Sequence, residues 1–207
     1  MVSCQENGRR GTAEGEGERV NFGLFILCKL RNFLNDNQLL MVYHAFIQSQ
    51  ISYACAVWGI TYNSAILRIK TLQNRALRII SRSGFMDNVD GFYTSYNILN
   101  IYQLVRYKVG LLTKLLLENQ INVPSVNPVL ASTTHRTRGQ TSMNLINFSS
   151  YNNFGKFHFL HLAFHVWHKI PTVLKTETSL TCFKRLLKKH IIDTYNDVNS
   201  YKFFVNF

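Results

Sequence analysis

From Leu39 to Ile80 apolar residues return every three or four positions, and no proline interrupts them. A chain patterned this way buries one face of a helix at each pass, so helical bundles are the folds open to it. The spacing predicts a short helix over "GLFILCKLRNFL", with Asn35–Asp36 placed to cap the next one. A long helix follows from Gln38 to Trp58, carrying Leu39, Val42, Tyr43, Phe46, Ile47, Gln50, Tyr53, Ala54 and Val57 on one stripe, with Gly59 as its stop. Further helices are predicted over Ser64–Arg82 and Ile101–Glu118. Pro124 and Pro128 then fall in a polar stretch that reads as a linker, with a short strand at Asn144–Phe148. Lys156–Ile170 reads as a helix, or a strand and then a helix, ended by Pro171. Ser179 opens a last helix reaching Asp193.

These elements imply a mainly α fold: a helical region over 22–120, a linker over 121–142, and a small C-terminal unit over 143–194. That unit is all-α, or α+β if the strand at 144–148 closes a hairpin. Residues 1–21 read as a disordered leader, Gly-, Glu- and Arg-rich without periodicity, and 195–207 as a tail.

Charge narrows the function. The chain has 207 residues, with 23 Lys and Arg against 11 Asp and Glu, a formal net charge of +12. Glu6, Glu14, Glu16 and Glu18 all lie in the leader, so the rest is more basic still. Such a surplus favours polyanionic partners, nucleic acid ahead of a membrane surface. Cys4, Cys28, Cys55 and Cys182 have neither paired nor regular spacing, which argues against a zinc knuckle or a disulfide scaffold. The N-terminus lacks the apolar core of a signal peptide, and polar residues break up Leu39–Trp58. The expectation is an intracellular protein, nuclear or cytoplasmic, with no membrane partner.

At about 100° per residue, Ile66, Ile69, Leu72, Ala76, Leu77, Ile79 and Ile80 fill one half of the third helix. Arg68, Arg75, Arg78 and Arg82 fall within roughly 80° on the opposite side. No acid occurs between Thr61 and Arg82 to pair with them. Arginines in a row suit phosphate, because the planar fork donates two hydrogen bonds to one anion. An ordinary solvated face on a basic protein is the competing reading. The last helix repeats the design, with Phe183, Leu186, Leu187 and Ile191 inward and Lys184, Arg185, Lys188 and Lys189 outward.

Taken in order, "LCKLRNFL", "LLMVYHAFIQSQISYACAVWG" and "LQNRALRIISR" resemble the region after the polymerase palm in non-LTR (LINE-type, jockey-like) retrotransposon reverse transcriptases. "RTRG", "YNNFGK", "WHKIP" and "SLTCFKRLLKKHI" resemble that family's later motifs, and the likeness runs from Leu24 to Ile192. The chain departs from the pattern at Ala163–Phe164, where the family tends to have Gly-Pro, and at His168, where it has Asn. The resemblance implies a thumb and post-thumb segment that closes on an RNA or RNA–DNA duplex beside a palm domain. It also implies that the parent enzyme uses Mg²⁺ held by paired aspartates in that palm. No two acidic residues are adjacent here, so the resemblance implies a fragment without polymerase activity and without a cofactor of its own. The closest folded pair, Asp87 and Asp90, reads as turn aspartates.

The function implied is therefore sequence-tolerant binding to nucleic-acid backbone. The alternatives are a remnant or artefactual gene model with no function, and an interaction module using an exposed apolar face. One further constellation is His158, His161, His165 and His168, whose spacing places all four along one helical face. His161 and His165, four apart, have a spacing that can bind zinc. No Cys or carboxylate lies near in sequence to complete a metal site, so a polar stripe on a half-buried helix is the stronger reading.

Overall fold

In a computed structural model the described residues are 13–53, 55–60, 62–123, 126, 128, 130, 143, 145–146 and 158–194. They are mainly helical and include no strand or sheet. Most of the leader, the tail, and the motifs "RTRG" and "YNNFGK" lie outside the described residues. So does part of the strand predicted at 144–148, whose described Leu145 makes only an isolated antiparallel bridge with Leu130.

Two compact units divide the chain, Met1–Leu104 and Val105–Phe207. In the first, α1 (Ala13–Leu30) packs on α5 (Asn63–Ile80). Helix α1 begins well inside the stretch expected to be disordered. Val20, Leu24 and Leu27 return at helical spacing and are buried, and that packed face supports the turns before it.

The long helix predicted over Gln38–Trp58 is broken into pieces. α2 (Asp36–Tyr43) runs into a π-helical turn (His44–Gln48) and then α3 (Ser49–Ser52). Tyr53 is extended (φ −65°, ψ 120°), and α4 (Cys55–Trp58) follows. The Trp58 indole N–H donates to the Tyr53 carbonyl at 2.7 Å and closes the break. The start of α2 matches expectation: Asn35 and Gln38 form a reciprocal capping box at 2.9 and 3.1 Å.

A short helix, α6 (Asp90–Ser95), precedes α7 (Ile101–Leu117). Asn100 and Gln103 repeat the capping box at the start of α7, both bonds being 3.0 Å. The division between units falls inside α7, and the linker predicted over 121–142 lies mostly outside the described residues. The later turns of α7 pack within the second unit: a Cβ at Gly110 would lie 3.3–3.6 Å from Leu187, Ile170 and Val166. The second unit adds α8 (Phe159–Lys169), α9 (Thr172–Lys175) and α10 (Leu180–Thr194). Trp167 and Phe183 meet at 6.5 Å in its core, and the Trp167 indole N–H donates to the Met143 carbonyl at 2.9 Å. Ser179 stands at the start of α10, its carbonyl accepting from Phe183 N–H at 2.9 Å.

Candidate nucleic-acid interface

Seven residues of α5 are buried: Ile66, Ile69, Gln73, Ala76, Leu77, Ile79 and Ile80. Six are apolar residues expected there. The seventh is Gln73, a polar side chain in the middle of the apolar half that helical spacing gives no reason to single out. Its amide nitrogen donates to the Tyr43 hydroxyl at 2.9 Å and to the Leu99 carbonyl at 3.0 Å, and its oxygen accepts from Ile101 N–H at 3.0 Å. Tyr43 donates its own proton to Gln48 at 2.9 Å. Burial raises the Tyr43 phenol above its ordinary pKa, partly offset by the Gln73 bond, so it remains a neutral donor. Two more tyrosines reach the same helix: Tyr93 donates to Asn74 and Tyr102 to Asn63, each at 2.6 Å. This network fixes α5 in rotation, which is what makes its outer face a defined surface.

On that outer face the four arginines part company. Arg68 and Arg75, seven residues apart and so two turns along the helix, are both exposed on the same flank. Arg78 is half-buried, and its Nε donates to the Asp87 carbonyl at 3.1 Å. Arg82 is not on the helix at all. α5 ends at Ile80, and Arg82 takes a left-handed conformation with φ 54°. Ser83 N–H donates back to the Arg78 carbonyl at 3.1 Å, the bond of a Schellman ending. From there the Arg82 guanidinium donates to the Leu34 carbonyl at 3.1 Å and lies 3.8 Å from the Asp36 carboxylate. The expected four-arginine arc is therefore a pair, with the other two tying down neighbouring loops.

On α10, Phe183, Leu187 and Ile191 are buried as expected, while Leu186 is half-buried. Lys184, Arg185 and Lys189 lie on the outer side. Lys188 is half-buried, and burial lowers its pKa. The four cations lie at i, i+1, i+4 and i+5, one broad face of the helix. The second unit also buries cations beside its core. Lys114 Nζ donates to the Lys175 carbonyl at 2.9 Å, pairs with Glu118 at 2.8 Å, and lies 5.5 Å from the Phe183 ring. Lys175 Nζ sits 5.8 Å from the Trp167 ring, and burial lowers its pKa. Arg106 is 2% exposed.

His161, His165 and His168 lie along one face of α8 at i, i+4 and i+7, and His158 stands outside the helix. His158 is the N-cap of α8, and its Nδ1 accepts from Leu160 N–H at 3.2 Å, so it precedes the helix. His161 and His165 meet edge to face at 4.7 Å, while His168 is exposed and stacks on Phe164 at 6.1 Å. Burial lowers the His165 pKa, with His161, Lys169 and His168 adding to the effect. Among the described residues no three His, Cys, Asp or Glu side chains converge on a point that could hold a metal ion. Of the two aspartates read as turn residues, Asp87 accepts the Gly84 N–H at 2.6 Å and Asp90 starts α6. No helix among the described residues is long and apolar enough to cross a membrane.

No protein-family model matches this chain, and no curated protein or solved structure is detectably similar to it. The likeness to retrotransposon polymerases thus rests on the sequence motifs alone.

Proposed function

We propose that this chain is a polymerase-thumb-like module that grips the backbone of RNA or an RNA–DNA duplex without reading its sequence. The observation that carries this reading is the pair Arg68 and Arg75, two turns apart on the outer flank of a helix that contains no acidic residue. The cationic face of α10 supports it independently. Each guanidinium or ammonium that meets a phosphate releases condensed counterions, so affinity falls steeply with salt and varies little with base sequence. On this reading the chain performs no nucleotide transfer of its own, because it lacks adjacent carboxylates of the kind that hold paired metal ions.

The test is anisotropy of a labelled RNA–DNA duplex titrated with the full chain across a salt series. Arg68→Glu/Arg75→Glu is expected to lower the log–log salt slope by about two, roughly one for each phosphate no longer neutralised. Arg78 and Arg82 are left intact because their structural bonds would confound the result. An unchanged slope in a folded double variant would sink the assignment of this face.

A further inference from the structure

Helical spacing puts Phe46 in the core, yet it is 43% exposed, and across from it on α1 Phe22 is 63% exposed. The two rings, with Arg19 and Gln50, line an open cleft of about 460 Å³ within the first unit. On α1 as well, Phe25 is 57% exposed, and Lys29 Nζ lies 5.5 Å from its ring centroid. Burying a phenylalanine side chain is favourable, so a cluster of rings held in water invites a ligand.

The backbone builds this cleft. Phe46 belongs to the π-helical turn, a local departure frequent at functional sites. Gly23, next to Phe22 on α1, is where the π turn comes closest: a Cβ there would lie 2.6 Å from Ile47 Cγ1 and 3.4 Å from Phe46 Cβ. Only glycine lets the turn come this close to α1. One cation, Arg19, lines the cleft, none of the four lining residues is acidic, and Lys29 stands farther along α1 beside Phe25. Aromatic faces beside guanidinium and ammonium groups complement an anionic strand that carries flat bases.

We infer that the Phe22–Phe46 cleft stacks an unpaired nucleobase of a single-stranded RNA or DNA segment. Gln50 is placed to meet the base edge, and Arg19 and Lys29 to meet flanking phosphates. This site does not depend on Arg68 or Arg75 and would serve a strand end or overhang, not the duplex backbone.

The test uses a single-stranded tetranucleotide containing the fluorescent base 2-aminopurine, whose emission is quenched on stacking. The full chain is expected to quench it, and Phe22→Ala/Phe46→Ala to weaken binding at least about tenfold, the effect of removing one stacked base. Phe22→Tyr/Phe46→Tyr should retain quenching, and both variants should keep the wild-type circular dichroism and melting. Arg68→Glu/Arg75→Glu should leave quenching in place whatever it does to duplex binding, which separates the two sites. Absence of quenching by the wild-type chain, or equal quenching by the alanine variant, overturns the inference. A wild-type chain that self-associates through these rings, with a monomeric alanine variant and no quenching in either, overturns it in favour of a second copy as the occupant.

Discussion

Gln73 shows how much one side chain can decide. It spends its amide nitrogen and its oxygen on Tyr43, Leu99 and Ile101, joining α2, α5 and the start of α7 through a single fully buried group. Gln73→Met keeps the volume but strands a buried carbonyl and a buried N–H, each costing about 1–3 kcal/mol. The variant is expected to lose at least about 2 kcal/mol in urea unfolding monitored by circular dichroism; a loss under half that would mean the network is dispensable. Arg82 shows the opposite lesson. Its place in the sequence fits a helical arc, but the α5 helix stops two residues earlier, and the residue is spent on the Leu34 carbonyl. Helical spacing assigns Arg68 and Arg75 correctly to the outer face because they lie mid-helix; it cannot see where a helix ends without glycine.

At the scale of elements, the segment after Asn35 shows why periodicity alone misplaces Phe46. The buried residues Leu39, Tyr43, Ile47, Ile51 and Cys55 advance by four each time. In a regular α-helix each such step drifts about 40° around the axis, so the stripe would wander off the core. The wider π turn absorbs that drift, and it leaves Phe46 outside. Gly23 and Gly110 then form an informative pair. Alanine is the better helix former by up to about 1 kcal/mol. At Gly23 the new methyl would meet Ile47 Cγ1 at 2.6 Å, whereas at Gly110 the nearest atoms are the methyl tips of Leu187 and Ile170 at 3.3 and 3.4 Å. Gly23→Ala is expected to destabilise by about 1–3 kcal/mol and Gly110→Ala to be neutral or stabilising. Chemical denaturation of both variants would decide it, and equal effects would contradict the close approach of the π turn to α1.

For the whole molecule, the charge is unevenly shared. From Val105 onward the chain holds 13 of the 23 basic residues but four of the 11 acids, so +9 of the net +12 belongs to the second unit. If backbone binding is mainly electrostatic, that unit supplies more of it. Lys184→Glu/Arg185→Glu is therefore expected to weaken duplex binding at low salt more than Arg68→Glu/Arg75→Glu, measured by anisotropy side by side. The reverse order would place the principal grip on α5. The mainly helical fold, the helix start at Asn35, the start of α10 near Ser179 and the outward cations of α5 and α10 could all be read from the sequence, because local spacing and capping chemistry set them. The length of α1, the break at Tyr53, the Gln73 network, the Arg78 and Arg82 tethers and the exposed Phe22–Phe46 cleft could not. Each depends on a residue distant in the chain or on how a helix packs, and only packing decides which of two locally allowed positions a side chain takes.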